Sequence, residues 1–136
     1  DQRIYLLMQT TYMNNSGVSV KSVTSGRGVD VGDLLIVCDD LHLPFRTMRL
    51  RRRGSHGGHN GLSSVIEHLG NRDFARLRCG IGSPADPQET VEYVLKKFSA
   101  EERERLDEFV GKAADCCEAW LKEDIETVMN RFNVPS

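Results

Sequence analysis

The sequence contains no apolar run that approaches the roughly 18 residues of a membrane-spanning helix. It also has no basic segment followed by an apolar stretch, so no secretory signal is visible. Its four cysteines include no CxxC spacing, which argues against a zinc site or a disulfide framework and favours reduced thiols in the cytoplasm. Internal repeats and linkers are also lacking, and these absences predict one soluble globular domain over residues 1–136.

Several common catalytic signatures are missing as well. No glycine-rich stretch ends in Gly-Lys-Ser/Thr or has the GxGxxG order, and no serine stands in a GxSxG elbow. His56 and His59 have no third ligand nearby in sequence, so a metal site ranks below a metal-free one. The pattern therefore favours chemistry that needs neither a nucleotide cofactor nor a metal.

The charge is unevenly distributed along the chain. Residues 1–85 carry 11 basic and 7 acidic side chains, whereas residues 86–136 carry 7 basic and 13 acidic ones. Five arginines fall within residues 46–53 of a chain whose net charge is −2. A local basic patch on an acidic protein fits an anionic partner, although a solvated charged strand gives the same pattern.

Hydrophobic periodicity predicts alternating strands and helices. Strands are expected at residues 4–8, 34–37, 48–51 and 75–81, a short helix at 18–23, and a longer helix directly after the glycine-rich segment 54–61. Capping patterns predict further helices from residues 86, 99 and 125. Strands alternating with helices indicate an α/β fold with C-terminal helices.

Three polar clusters fall at the ends of these elements, at residues 12–14, 39–40 and 56–60. A carboxylate at a strand end can orient a histidine that acts as general base, as in many hydrolases. Asparagine amides can hold a substrate amide or a water molecule, and glycine-flanked backbone N–H groups can bind an oxyanion. Each cluster alone is weak, because paired aspartates often only cap turns and glycine-rich turns often only pack tightly.

Together, the clusters resemble the bacterial peptidyl-tRNA hydrolases. The matching runs are LLMQTTYMNNSG (6–17), LLIVCDDLHLP (34–44), MRLRRRGSHGGHNGLSSVIEHLG (48–70), FARLRCGIGSP (74–84) and the tail from residue 93 to residue 133. They cover nearly the whole chain in the order and spacing of the family. The resemblance implies a mixed central sheet flanked by helices, and hydrolysis of the ester between a peptide and the tRNA 3′ end without metal or organic cofactor.

The resemblance also implies roles for the residues around the reacting ester. Tyr12 and Asn14 match substrate-contacting positions of the family's TYMN motif. Asn60 matches the asparagine that holds the peptide end and helps to place the water. Asp39 matches the aspartate that stabilises the basic form of the catalytic histidine.

Further positions match the walls of the site and its RNA contacts. Met13, Gly57 and His59 resemble residues that line the pocket. Arg51 and Arg78 align with basic positions that grip tRNA phosphate, which suits the arginine patch. The resemblance thus implies peptidyl-tRNA as partner, bound through its acceptor stem, 3′ end and phosphates, and a monomeric cytoplasmic enzyme that recycles tRNA from stalled translation.

The chain departs from the family pattern at its start. Family members begin with a strand, a GNPG-type turn, an asparagine and the catalytic histidine, and none of these is present in the 136 residues. All four histidines match other positions, so we expect a truncated chain of low or no activity. The alternative from another class is an RNA-binding protein without catalysis, similar to splicing factors of the same fold, and a third is a protein-interaction domain.

Overall fold

A computed structural model describes residues 4–6, 16–82 and 100–133 of the chain. The helices and strands follow in the order α1 (Ser16–Arg27), β1 (Leu35–Asp40), β2 (Met48–Arg51), α2 (Asn60–Leu69), β3 (Ala75–Gly80), α3 (Ala100–Lys122) and α4 (Ile125–Phe132). Contacts group the chain into two compact units, residues 1–34 with 52–75 and residues 35–51 with 76–136. Among the described helices, none is both long and apolar enough to cross a membrane.

The three strands form one mixed sheet with β3 in the centre, between β1 and β2. β2 runs antiparallel to β3, and Leu50 lies opposite Leu77. The N–H of Ile81 donates to the main-chain oxygen of Asp40 at 3.1 Å, which joins the C-terminal ends of β3 and β1, so these two strands run in the same direction. The predicted α/β class with a mixed sheet and C-terminal helices is confirmed.

One face of the sheet is apolar and is covered by α3 and α4. Leu50 and Leu77 alternate with arginines along β2 and β3, and both leucines are fully buried. The core cluster consists of Leu50, Leu77, Cys116, Ala119 and Val128. Because strand side chains alternate between faces, burying these leucines places the neighbouring arginines on the opposite face of the sheet.

All four cysteines are free, and three of them are held as thiols by their surroundings. Burial, followed by the neighbouring Cys38, raises the pKa of Cys79 to about 12. Burial also raises the pKa of Cys116 to about 11, and that of Cys117 above its usual value. Because the thiolate is the nucleophilic form, these three thiols are poor nucleophiles at neutral pH.

The other compact unit is built on the packing of α1 against α2. Gly17 lies so close to α2 that a Cβ at this position would come within 2.1 Å of the main-chain oxygen of Ser64. The N–H of Gly17 donates to Ser64 Oγ at 3.0 Å. The helix α2 then ends at Gly70, whose φ of 64° belongs to the left-handed region that terminates helices.

Predicted and observed boundaries differ at several elements. The first helix is longer than predicted and continues to Arg27, and β1 continues through Asp39 and Asp40, which were expected to follow the strand. The strand predicted at residues 75–81 ends at Gly80. Of the strand predicted at residues 4–8, residues 4–6 are described and form neither helix nor strand, and residues 7 and 8 lie outside the described residues. The helix predicted from residue 86 also lies outside the described residues up to residue 99.

The free edge of β2 is bound by a side chain from the end of α4. Asn133, which caps α4, accepts the N–H of Leu50 at 2.6 Å and donates through Nδ2 to the main-chain oxygen of Leu50 at 2.8 Å. The amide of Asn133 therefore makes the two hydrogen bonds that another strand would make along this edge.

Replacing Asn133 by alanine is expected to lower the free energy of unfolding by about 1–3 kcal/mol, because two partly buried hydrogen bonds of roughly 1 kcal/mol each are removed. The matched control is Asn130→Ala, since Asn130 is exposed in the same helix and alanine has the higher helix propensity. Urea unfolding followed by circular dichroism measures both variants. Equal stabilities of the two variants would contradict the prediction.

Candidate active site and arginine face

Two adjacent carboxylates end β1, and they point to opposite faces of the sheet. Asp40 is 4% exposed and bonds to Arg78, so it lies on the arginine side. Asp39 is half-buried and, because neighbouring strand residues alternate, points to the face opposite Asp40. Consistent with this position, Asp39 is among the groups that, after burial and the neighbouring thiols, raise the pKa of Cys79.

The arginine face is formed by four arginines on β2 and β3, namely Arg49, Arg51, Arg76 and Arg78. Arg49 lies directly opposite Arg78, and Arg51 lies directly opposite Arg76. Residues opposite each other in an antiparallel pair share a face and are close, so each pair brings two like charges together. Like charges in this position repel each other, and an anion nearby lowers that repulsion.

The four arginines differ in how much of them faces solvent. Arg49 and Arg51 are exposed, and Arg51 also donates through Nη1 to the main-chain oxygen of Leu50 at 3.2 Å. Arg78 has only 15% of its side chain exposed and pairs with Asp40 at 3.1 Å. Arg76 is buried, at 1% exposure. Arg49 and Arg51 are therefore the two that an external anion reaches most easily.

The glycine-rich segment before α2 is ordered by its own histidines. His56 Nδ1 accepts the N–H of Gly58 at 2.9 Å, and the main-chain oxygen of His56 accepts the N–H of His59 at 3.0 Å. His59 then caps α2, because its Nδ1 accepts the N–H of Leu62 at 3.1 Å. Gly57 has a φ of 56°, a left-handed conformation that suits glycine at this turn.

Asn60 is the first residue of α2 and is exposed. Its side-chain amide makes no hydrogen bond with the described part of the chain. A primary amide offers two N–H donors and a carbonyl acceptor. Asn60 therefore presents an open donor and acceptor at the start of a helix, as a residue that binds a peptide group would.

The hydrogen bonds of three histidines restrict what each ring can do. His56 and His59 accept backbone N–H groups at Nδ1, so in their neutral forms the proton is on Nε2 and no free ring lone pair remains for a water molecule. His68 bonds through Nδ1 to the main-chain oxygen of Ser64, which only accepts, so this ring is oriented by its own helix. This geometry supports the interpretation that the rings of His56 and His59 have structural roles.

The structure describes six of the nine predicted site residues. Tyr12, Met13 and Asn14 lie outside the described residues. Asp39 belongs to the unit that contains the sheet, whereas Asn60 belongs to the unit that contains α1 and α2. Their predicted convergence on one cleft with Asn14 stays a prediction. Within the described residues, no group of three His, Cys, Asp or Glu side chains is arranged to hold a metal ion.

Sequence reasoning missed two contacts that shape this region. Asp40 was interpreted only as the neighbour of Asp39, yet it carries the ion pair with Arg78. Asn133 received no role, yet it binds the edge of β2 between Arg49 and Arg51. The alternation of faces along β1 was the available signal for Asp40, whereas no local signal points from Asn133 to Leu50.

Comparisons with known proteins identify the family. The family model described as peptidyl-tRNA hydrolase matches residues 1–136. The peptidyl-tRNA hydrolase of Oceanobacillus iheyensis is 46% identical over 133 residues, which cover 97% of this chain and 71% of that protein. The peptidyl-tRNA hydrolase of Bacillus cytotoxicus is 44% identical over 132 residues, with the same coverage of both chains.

Solved structures agree with this assignment. The crystal structure of peptidyl-tRNA hydrolase from Acinetobacter baumannii superposes with a TM-score of 0.80 at 32% identity. The alignment covers 91% of this chain and 63% of the solved chain, so the 136 residues span less than two thirds of that protein. Matched along its whole length by the family model and at more than 40% identity by two curated members, the chain belongs to the peptidyl-tRNA hydrolase family.

Proposed function

We propose that this chain contributes the substrate-binding part of an enzyme that hydrolyses the ester between a peptide and tRNA, and so recycles tRNA from stalled translation. The observation that carries the proposal is the family match over residues 1–136. The open amide of Asn60 and the arginine face support it, because the substrate combines a peptide group with a phosphate backbone. As the resemblance implies, the reaction needs no metal or organic cofactor.

The proposed reaction is general-base hydrolysis. A histidine outside the four in these residues takes a proton from water, and Asp39 stabilises the charged imidazole that results. The half-buried position of Asp39 at the end of β1 supports this role, because a carboxylate in such surroundings is partly desolvated and its attraction for an imidazolium is less screened than at a fully solvated surface. Asp39 thus acts through the histidine and does not itself react with the ester.

The asparagines are proposed to place the other reactants. Asn60 binds the peptide end of the substrate through its exposed amide, and Asn14 and Asn60 together orient the water. Tyr12 contacts the substrate, and Met13, Gly57 and His59 form the surrounding wall. None of these contacts distinguishes peptide side chains, so we expect the enzyme to accept peptidyl-tRNAs in general, as a monomer in the cytoplasm.

The arginine face is proposed to bind the phosphates of the acceptor stem. Arg51 is exposed and extends from the edge strand, next to the similarly exposed Arg49. Contacts to phosphate fix the position of an RNA without reading its sequence, which suits an enzyme that acts on many tRNAs. Arg78 is proposed to contribute from the neighbouring strand.

The salt dependence of tRNA binding tests this interface. Removing one arginine that binds a phosphate lowers the slope of log Kd against log salt concentration by roughly 1. We therefore expect Arg51→Ala to weaken tRNA binding and to reduce this slope by about one. Filter binding or fluorescence anisotropy with a deacylated tRNA at several salt concentrations gives both values.

Arg103→Ala serves as the matched control, because Arg103 is exposed on α3, away from the arginine face. It removes the same charge and should leave the slope unchanged. If both variants shift the slope equally, the effect is one of net charge and the proposed interface is wrong. If the wild-type chain shows no salt-dependent tRNA binding, the protein-interaction alternative is favoured.

A further inference from the structure

The strand β2 is a short edge strand whose pairing with β3 is weakened by charge. It has four residues, and β3 lies on one side of it in the described sheet. Arg49 and Arg51 lie directly opposite two arginines of β3. Like charges in directly opposed positions are destabilising, and segments with few contacts open locally at a low free energy. An attachment on the other side of β2 therefore helps to keep its exposed arginines in place.

Leu50, which lies between these two arginines, is held through both its side chain and its main chain by α4. Its side chain is fully buried in a cluster that includes Val128 of α4. Its N–H donates to Oδ1 of Asn133 at 2.6 Å, and its main-chain oxygen accepts Nδ2 of Asn133 at 2.8 Å. The two bonds close a ring between one side-chain amide and one residue of backbone, so a displacement of Leu50 breaks both of them.

The same main-chain oxygen orients one of the arginines. Nη1 of Arg51 donates to the oxygen of Leu50 at 3.2 Å, and a carbonyl oxygen has two lone pairs, so it accepts from Asn133 and Arg51 together. Because strand residues alternate between faces, holding Leu50 also fixes where Arg49 and Arg51 leave the opposite face. An arginine that is already oriented loses less conformational entropy when it binds phosphate.

We propose that Asn133 is a positioning residue for tRNA binding, which fixes the main chain of Leu50 and so holds Arg49 and Arg51 in the positions that contact phosphate. This inference rests on the proposed function, because it takes the phosphate contacts of the arginine face as given. It adds the end of α4 to the elements that determine tRNA affinity, although Asn133 itself carries no charge.

The dependence of tRNA affinity on salt distinguishes positioning from charge. In Asn133→Ala both arginines remain, so they reach the same phosphates but must first be ordered. We expect the Kd for deacylated tRNA to rise about fivefold at every salt concentration, since the apparent affinity falls with the fraction of binding-competent molecules. The slope of log Kd against log salt concentration should stay that of the wild type, whereas Arg51→Ala should lower it by about one. Asn130→Ala, a change at an exposed asparagine of the same helix, is the matched control and should alter neither value.

A double-mutant cycle links the effect to the two arginines. In a chain that carries both Arg49→Gln and Arg51→Gln, Asn133→Ala should weaken tRNA binding no further, because the side chains that Asn133 positions are gone. Unfolding alone does not imitate the single-variant result, since a fivefold loss of affinity would need about four-fifths of the chain to be unfolded. Circular dichroism at the assay temperature measures that fraction.

Amide hydrogen exchange followed by NMR reports on the bonds themselves. Asn133→Ala should speed exchange of the Leu50 N–H by about tenfold or more, whereas the N–H of Leu77 in the central strand should change less. In the wild-type chain, saturation with tRNA should slow exchange at Leu50, because coupling between two events is reciprocal. This second measurement needs no variant, so it tests the inference even if Asn133→Ala does not fold.

Four results would overturn the inference. If the Leu50 N–H loses protection in Asn133→Ala but the Kd stays that of the wild type, Asn133 has only a structural role. If the salt slope falls by about one, a phosphate contact has been lost outright. If the loss of affinity persists without both arginines, Asn133 acts through other residues. If saturating tRNA leaves exchange at Leu50 unchanged, this edge of the sheet is not coupled to binding. Absence of tRNA binding by the wild-type chain would instead count against the proposed function.

Discussion

Joining a family N-terminal segment, with its strand, GNPG-type turn, asparagine and histidine, to residue 1 of this chain is expected to raise the rate of peptide release by ~10²–10⁴-fold, the usual contribution of a positioned general base. This factor corresponds to about 2.7–5.4 kcal/mol of activation free energy. The reason is that the family resemblance places the catalytic histidine in that segment, whereas His56 and His59 commit Nδ1 to backbone N–H groups. Single-turnover release of an N-acetylated peptide from tRNA measures the rates of the fusion and of residues 1–136 alone.

The segment of the Oceanobacillus iheyensis relative is a suitable donor, since that protein is 46% identical over 97% of this chain. The control is the same fusion with its added histidine replaced by alanine, which restores the segment but not the base. We expect this control to match residues 1–136. If residues 1–136 alone release peptide as fast as the complete fusion, the proposed mechanism is wrong, because a sufficient base would then lie within them.

Asp39→Asn in the active fusion is expected to remove most of the added rate, about 10²-fold or more, because a neutral amide cannot stabilise the charged imidazole that forms during proton transfer. The decisive measurement is the comparison of kcat with the Kd for tRNA. If Asp39 acts through the histidine, kcat should fall with little change in the Kd for tRNA. A parallel loss of tRNA affinity would assign Asp39 to substrate binding.

The elements predicted best from the sequence are those with a regular pattern of apolar residues that is bounded by turn residues. In β2, Met48 and Leu50 alternate with Arg49 and Arg51, and the observed strand has the same residues. The apolar residues of α2 recur at helical spacing after a glycine-rich turn, and the helix is observed there, although it begins at Asn60, two residues before the predicted start. Such patterns are local, so they can be read without knowing which segments meet.

The contacts that organise the arginine face could not be read in this way. Arg78 and Asp40 are 38 residues apart, and Asn133 and Leu50 are 83 residues apart. Which residues meet depends on strand order and register, and a register shift of one residue would move every side chain to the other face. The family resemblance supplied roles for Arg51 and Arg78 but gave no indication that one is exposed and the other nearly buried.

The same reasoning explains why the sequence predicted a role for Asp39 but none for Asp40. A strand that ends before the pair leaves both carboxylates in a loop, where they could point anywhere. Because β1 includes both residues, the two side chains are forced to opposite faces. The different surroundings of Asp39 and Asp40 thus follow from where the strand ends.

Gly80 holds the loop that follows these carboxylates, so replacing it should have a large effect on stability. Its N–H donates to the main-chain oxygen of Thr47 at 2.7 Å, and its own oxygen accepts the N–H of Arg46 at 3.2 Å. A Cβ at this position would lie 2.1 Å from the main-chain oxygen of Pro44. Since that neighbour is backbone and cannot rotate away, we expect Gly80→Ala to lower the free energy of unfolding by about 3 kcal/mol or more, at the upper end of overpacking effects.

Gly111→Ala is the matched control and should change stability in the opposite direction. Gly111 lies within α3, where an added Cβ meets nothing within 4 Å, so alanine should stabilise the helix by about 1 kcal/mol. Chemical denaturation of both variants against the wild type tests the pair. Changes of opposite sign in the free energy of unfolding would support the close packing of residues 41–47 on the end of β3. This packing would also fix the position of the strand end that carries Asp39 and Asp40. A Gly80→Ala variant as stable as the wild type would mean that this loop moves to accommodate the added Cβ without loss of stability. The two carboxylates would then be oriented by β1 alone.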